Sequence, residues 1–123
     1  MQHNAISLRP FIGSKDFDVS RSFYRDLGFE EVVIDNHMSV FKTGAFAFYL
    51  QAYYAKEWIE NTMLFLEVDD VDRYFNELTA LDLAAKYPGV KLTPIRVEYW
   101  GRECFLHDPA GILWHIGEFN KTS

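Results

Sequence analysis

Hydrophobic and polar residues alternate most regularly in residues 100–118 of the chain. Because neighbouring residues of a strand point to opposite faces, this alternation predicts two strands with one wholly apolar face. Residues 108–111 separate the two strands, and their Asp-Pro-Ala-Gly sequence is typical of a tight turn. We therefore predict a hairpin that packs against a helix through Cys104, Leu106, Ile112, Trp114 and Ile116. The opposite face of this hairpin carries Phe105, His107, Leu113 and His115.

Two other segments have the spacing of an amphipathic helix. Val19, Phe23 and Leu27 recur every four residues, which places them on one helical face. Asp16 precedes this segment and is a suitable N-cap. A second helix is predicted after the acidic pair at 69–70, and its buried stripe consists of Val71, Tyr74, Phe75, Leu78 and Leu81.

Short apolar or alternating runs predict further strands at residues 5–12, 29–34, 38–42, 45–51, 62–68 and 91–99. Loops are expected at residues 53–61 and 82–90. In chain order the elements read β-α-β-β-β twice, so we predict an α+β fold of two βαβββ modules. The modules would span about residues 5–53 and 62–119 of a single domain, residues 1–123. Pro10 lacks an N–H group, so the first strand should lie at a sheet edge or a subunit boundary.

Composition narrows the range of possible partners. The net charge is −6, from 12 basic and 18 acidic residues without a basic run, so we expect no nucleic acid partner and a weak preference for cations. Aromatic residues make up 17% of the chain, an excess that favours a cavity or an interface. The single Cys104 excludes an intramolecular disulfide. With neither a signal peptide nor a membrane-spanning apolar run, the chain is expected to have no membrane partner and a cytoplasmic location.

Three segments of the chain resemble the vicinal oxygen chelate superfamily, which includes glyoxalases, dioxygenases and bleomycin resistance proteins. They read FYRDLGF at 23–29, NTMLFLEVDDVD at 61–72 and WGRECFLHDPAGILWHI at 100–116. The last two are most similar to the bleomycin resistance branch. This resemblance implies two sheets that each curl into a U around a crevice. It also implies a homodimer with exchanged N-terminal strands, whose interface crevices bind a cationic glycopeptide drug.

The metal-dependent members of this superfamily use His, Glu or Gln at four equivalent strand positions. In this sequence those positions fall at Arg9 or Pro10, Tyr49, Met63 and His115. His115 alone is a good ligand, because Arg stays protonated and Met is a weak ligand for these metals. A Lewis-acid metal needs about three protein ligands. We therefore predict no bound metal, no cofactor and no catalytic residue.

Large and mostly apolar side chains would then line the crevice. The predicted ligand-binding residues are Tyr49, Met63, Trp100, Phe105, Leu113 and His115. By alternation, Glu67 and Glu103 lie near the same face and favour a cation. We therefore predict a metal-independent protein that sequesters a cationic or aromatic small molecule. The resemblance implies that this molecule is a bleomycin-type antibiotic and that the protein gives antibiotic resistance.

Two other interpretations of the sequence remain open. The chain could be a metal-dependent lyase or dioxygenase of the same superfamily, with a non-standard metal site around His115 and His107. It could also be an interaction module whose crevice is filled by its own side chains and whose aromatic residues only form a dimer. The number of metal ligands on the hairpin face that carries His107 and His115 decides whether the first interpretation holds. A large empty cavity would argue against the second.

Overall fold

The computed structural model describes residues 1–121, and all helices and strands named below lie within these residues. The helices are α1 (Phe17–Asp26), α2 (Lys56–Glu60), α3 (Val71–Leu81) and α4 (Leu83–Lys86). The strands of the first half are β1 (Phe11–Ile12), β2 (Glu30–Asp35), β3 (Met38–Thr43) and β4 (Phe46–Gln51). The strands of the second half are β5 (Met63–Glu67), β6 (Lys91–Leu92), β7 (Arg96–Glu98), β8 (Gly101–His107) and β9 (Leu113–Phe119).

The strands form two open sheets with the same connectivity. The first sheet has the order β1-β4-β3-β2, and the second has the order β5-β9-β8-β6, with β7 also paired to β8. In each sheet the first strand runs parallel to the last one, and the other pairs are antiparallel. This arrangement confirms the predicted α+β fold of two βαβββ modules.

The 100–118 segment forms the predicted hairpin, and its apolar face is part of the core. Cys104 and Leu106 of β8 and Trp114 and Ile116 of β9 are at most 5% exposed. Both long helices begin where the sequence predicts, because the side chains of Asp16 and Asp70 accept hydrogen bonds from the first-turn backbone N–H groups. Within the described chain, no helix is long and apolar enough to cross a membrane.

A buried carboxylate joins the hairpin turn to helix α1. Asp108 is fully buried, and its Oδ1 accepts hydrogen bonds from the backbone N–H groups of Ala110, Gly111 and Ile112, each at 2.9 Å. Its Oδ2 accepts a hydrogen bond from the Tyr24 hydroxyl at 2.6 Å. Burial raises the pKa of Asp108, although these hydrogen bonds oppose the rise. One side chain therefore shapes the turn and fixes it to the other module.

The indole of Trp114 completes this network. Its Nε1–H donates a hydrogen bond to the Tyr24 hydroxyl at 2.9 Å. The indole ring also packs against Phe29 and Phe48, with ring centroids 5.9 and 5.4 Å away. Strand β9 is thereby held against the first module by both polar and aromatic contacts.

The strand predicted at residues 91–99 is broken in the structure. Lys91–Leu92 and Arg96–Glu98 pair separately with β8, and Pro94 lies between them without an N–H group to donate. Beside the break, the Thr93 hydroxyl accepts a hydrogen bond from the backbone N–H of Phe105. A side chain therefore takes a ladder bond that a continuous strand would have formed.

The first predicted strand is also shorter than expected. Of residues 5–12, Phe11–Ile12 is assigned as strand, and residues 1–10 are exposed. The predicted loop at 53–61 contains α2, whose Trp58 packs closely against Gly13. A Cβ atom at Gly13 would lie 2.7 Å from the Trp58 ring, so this contact requires glycine. The predicted loop at 82–90 similarly contains the short helix α4.

Replacing Tyr24 by Phe should lower the free energy of unfolding by about 2–3 kcal/mol, because it leaves Asp108 Oδ2 and Trp114 Nε1 buried without a partner. Urea denaturation followed by circular dichroism measures this loss. Tyr87→Phe is the matched control, since its hydroxyl binds Ser22 and the exposed Asp26, and it should cost less than about 1 kcal/mol. Equal losses in the two variants would contradict the assigned importance of the buried network.

Candidate functional site

The second sheet presents one face to its helices and another that is partly open to solvent. We call the latter the open face, and its central residues are Met63, Phe65, Glu103, Phe105, Leu113 and His115. Their positions follow from the alternation of β5, β8 and β9 and from the register that pairs Phe65 and Phe105 with His115. Met63 and Phe65 remain 61% and 45% exposed, so the edge strand offers apolar surface to a ligand.

Three rings form a cluster at one end of the open face. Phe65, Trp100 and Phe119 lie with ring centroids 5.2–5.7 Å apart. They approach the backbone closely at Gly117, where a Cβ atom would lie 2.9 Å from the Phe65 ring and 3.1 Å from the Trp100 ring. Gly117 therefore creates the space into which these rings fit.

His115 and Glu103 form the polar centre of the open face. The Nδ1 atom of His115 lies 2.8 Å from Oε1 of Glu103, whose residue is 6% exposed. Phe105 contacts the imidazole edge-on at a centroid distance of 4.9 Å, and Phe65 lies nearly parallel to it at 6.3 Å. The other ring nitrogen, Nε2, is shielded from solvent and finds no hydrogen-bond partner among residues 1–121. A buried polar atom left without a partner costs about 1–3 kcal/mol.

Charges of both signs surround this polar centre. The guanidinium of Arg96 lies 5.6 Å from the centroid of Phe105 and forms an ion pair with Glu98 at 2.6 Å. Glu67 is exposed on the edge strand. Arg102, in contrast, lies on the helix side of the sheet, where it pairs with Asp72 and Glu118. The Arg102 guanidinium therefore does not neutralise the negative charges of the open face.

The structure places five of the six predicted ligand-binding residues on or beside the open face of the second sheet. They are Met63, Trp100, Phe105, Leu113 and His115. The sixth, Tyr49, lies on the first sheet, where its ring stacks on Phe11 at 4.6 Å and the Arg9 guanidinium lies 5.9 Å from the ring centroid. Each of the two sheets thus carries an aromatic surface within the described chain.

Phe65 and Phe119 belong to the open face but were missing from the predicted site. The strand pairing sets Phe65 beside His115, whereas Met63 lies beside Leu113. Phe65 shares the alternation of Met63, and Phe119 continues that of Leu113 and His115, so both could have been found from the sequence.

A groove of about 280 Å³ separates β4 of the first sheet from β5 of the second. Its walls come from both modules and are mostly apolar: Pro10, Phe29, Phe46, Ala47, Phe48, Leu64, Phe65, Leu66, Glu67 and Trp114. Because Phe65 and Glu67 border it, this groove continues from the open face. The size is sufficient for a side-chain-sized group or a small segment of chain, but is less than that of a typical drug-sized pocket.

Neither His107 nor Cys104 shows the features of a reactive group. Burial, with a further contribution from nearby Lys91, lowers the pKa of His107. Burial, with the nearby Glu103 carboxylate, raises the pKa of Cys104 to about 11. The thiol is thus kept protonated in the core, on the apolar face of the hairpin where the alternation predicts Cys104.

One acidic cluster lies outside the open face. Asp70, Asp72 and Glu118 bring their carboxylates close enough to share a cation. However, Arg102 already donates hydrogen bonds to Asp72 and Glu118 and occupies the space between β9 and α3. The cluster is therefore an ion-pair network that joins the helix to the sheet.

Comparison with known proteins adds an evolutionary context to this geometry. A model of the Glyoxalase/Bleomycin resistance protein/Dioxygenase superfamily matches residues 6–116. No curated protein sequence matches the chain.

Several solved structures share the fold over almost the whole chain. The bleomycin-binding protein of Streptomyces verticillus, in complex with copper(II)-bleomycin, is 24% identical with a TM-score of 0.80, covering 97% of this chain and 100% of that chain. A bleomycin resistance determinant encoded on transposon Tn5 is 20% identical with a TM-score of 0.79, covering 94% and 98%. Lactoylglutathione lyase from Agrobacterium tumefaciens is 20% identical with a TM-score of 0.70, covering 94% and 96%. The TM-scores establish a common fold, which binding proteins and an enzyme both use.

The donor atoms of this chain do not fit the metal site of the enzymes with this fold. The neighbour of His115 on β5 is Phe65, and the neighbour of Tyr49 on β1 is Phe11, so neither residue has a donor beside it on the adjacent parallel strand. Glu103 of β8, 2.8 Å from His115 Nδ1, is the second donor near His115. In the part of the chain that the structure describes, neither His115 nor His107 belongs to a group of three potential ligands. A divalent Lewis acid needs about three such ligands. The alternative metal site around His115 and His107 therefore lacks its third ligand.

Proposed function

Because the chain belongs to the glyoxalase/bleomycin resistance protein/dioxygenase superfamily, we propose that it binds and sequesters a small aromatic or cationic molecule without a metal. The single observation that supports this proposal most is the exposed ring surface of the open face. Phe65 and Phe119 are 45% and 50% exposed beside Trp100, and soluble proteins seldom leave adjacent large rings uncovered without a binding role.

The electrostatics of the open face favour a ligand that is flat and carries positive charge. Exposed rings attract cations through their faces, and an aromatic ligand gains contact area by stacking on them. The carboxylates of Glu67 and Glu103 add negative charge at the same surface, within a protein of net charge −6. Complementary charge of this kind speeds association and fixes orientation more than it raises affinity.

Bleomycin is the ligand with which to test this proposal. Two of the structures that share the fold are a bleomycin-binding protein in complex with copper(II)-bleomycin and a bleomycin resistance determinant. The resemblance describes the drug as a cationic glycopeptide, and a cation is the kind of ligand that the open face favours. Binding without chemical change would make the chain a resistance protein that acts by sequestration.

Bleomycin should quench tryptophan emission and release heat in calorimetry with protein that has been dialysed against a chelator. Phe65→Ala should weaken binding about 5- to 30-fold, because it removes a central exposed ring from the ligand surface. Val97→Ala is the matched control: Val97 is also exposed, but it pairs with Arg102 on the other side of the sheet. Absence of binding to the wild-type protein, or equal weakening by both variants, would contradict the proposed site.

We further propose that the functional unit is a homodimer formed by exchange of residues 1–10, which we call the arm. Ile6 and Leu8 of the arm are 99% and 97% exposed, although two apolar residues at alternate positions are typical of a strand with one buried face. The face formed by Ile6 and Leu8 is uncovered in a single chain and would be buried against a second copy of the chain.

The edge of the first sheet supplies a matching surface. Strand β1 pairs with β4 only at Tyr49 and Leu50, so within the described residues the side of β4 that faces away from β3 has no paired strand from Phe46 to Phe48. The groove of about 280 Å³ borders this same edge. A strand from a second copy could add its backbone hydrogen bonds to β4 and place Ile6 and Leu8 in the groove.

The wild-type protein should be dimeric at micromolar concentration, as measured by light scattering coupled to size exclusion. Ile6→Asp combined with Leu8→Asp should give monomers, because charged side chains would have to enter the apolar groove. The matched control, Gln2→Asp with Asn4→Asp, adds the same charge to the arm without removing apolar surface and should remain dimeric. A monomeric wild type, or a dimer that survives both aspartates, would refute arm exchange.

A further inference from the structure

Two buried side-chain polar atoms of the described chain lack a hydrogen-bond partner, Ser20 Oγ and His115 Nε2, and of the two residues it is His115 that lies on the open face, paired with a carboxylate. Asp108 and Glu31 are also shielded carboxylates, but each accepts at least three hydrogen bonds from the surrounding chain. The Glu103 carboxylate instead binds one imidazole, whose remaining nitrogen lacks a partner within residues 1–121. A buried atom of this kind calls for a further group, either an ordered water or a bound molecule, to complete its hydrogen bonds.

From this arrangement we infer that His115 is the polar contact of the ligand site and that Glu103 positions it, so that His115 Nε2 accepts a hydrogen bond from an N–H or O–H group of a flat aromatic ligand. This inference rests on the proposed binding function and specifies the chemistry of the ligand. It assigns a role to Glu103, which does not itself touch the ligand.

The carboxylate determines which nitrogen of the imidazole carries the hydrogen. A carboxylate only accepts hydrogen bonds, so in the neutral imidazole Nδ1 must be the donor at the 2.8 Å contact. Nε2 is then left with a lone pair and acts as an acceptor. While the imidazole is neutral, the ligand group that satisfies Nε2 is therefore a donor, which excludes a bare carbonyl or carboxylate at this point.

The surroundings of Nε2 restrict the shape of the ligand. The imidazole lies between Phe105, in edge-on contact at 4.9 Å, and Phe65, nearly parallel to it at 6.3 Å. Neither ring offers a strong hydrogen-bonding group, so both favour an apolar, flat partner. Phe65 stands on the edge strand β5 and is 45% exposed, so rotation of its side chain is a small movement that would widen access to the imidazole.

The first test requires no ligand. Long-range ¹H–¹⁵N spectra at mildly alkaline pH distinguish a ring nitrogen that carries hydrogen from one that has a lone pair. For His115 we expect hydrogen on Nδ1 and none on Nε2. In Glu103→Leu the hydrogen should no longer be confined to Nδ1, because the acceptor that holds it there is gone. Hydrogen on Nε2 in the neutral wild-type protein would overturn the inference.

The second test uses indole and 1-methylindole, two flat aromatic probes of which only indole has an N–H donor. Titrations followed by NMR should show that the wild-type protein prefers indole by about 3- to 10-fold, the usual effect of one hydrogen bond. Indole should also shift the His115 Nε2 resonance. No shift of this resonance, or no preference for indole, would overturn the inference.

Two variants separate the role of the pair from general damage to the fold. His115→Phe with Glu103→Leu removes both partners, which avoids leaving a buried charge alone, and it should abolish the preference for indole. His107→Phe removes another imidazole of the same sheet face and should retain it. If the double variant still prefers indole, Nε2 is not the acceptor. If bleomycin fails to bind the wild-type protein, the proposed drug is wrong. The indole experiments still decide, independently of bleomycin, whether Nε2 is the acceptor.

Discussion

The buried hydrogen bonds of Asp108 are the interaction on which the rest of this structure depends. Four donors converge on one carboxylate: three backbone N–H groups of the turn and the hydroxyl of Tyr24. Through Tyr24 the network reaches Trp114, which the Phe29 and Phe48 rings also hold. The turn, helix α1 and strand β9 are therefore fixed relative to one another, and the two modules with them.

This constraint also positions the open face. A one-residue slip of a strand would move every side chain to the opposite side of the sheet. Since Trp114 is anchored in the core, its neighbour His115 must point to the open face, where β8 brings Glu103 within hydrogen-bond distance. Alternate residues of β9 thus lie in the core, and the residues between them lie on the open face. The contacts that fix the core residues therefore also fix the orientation of the open face.

Local patterns in the sequence predicted most of the fold. Alternation gave the hairpin and its buried face, and helical spacing with the caps Asp16 and Asp70 gave both long helices. Contacts between distant segments were not accessible in this way. The bond between Tyr24 and Asp108 joins residues 84 positions apart, and the choice of Phe65 as the neighbour of His115 depends on the register of two strands that only folding brings together. Similarly, the pair of His115 and Glu103 is diagonal across β8 and β9, so it follows from the pairing and not from either strand alone.

Metal-independent binding is the central claim for the function of this protein. Its most direct test is the metal content per subunit of protein purified without chelators, measured by inductively coupled plasma mass spectrometry. Since His115 has Phe65 as its strand neighbour and no set of three ligands around it in the described chain, nickel, zinc, manganese and iron should all be far below one per subunit. One tightly held equivalent of any of these metals would contradict the account and favour an enzyme.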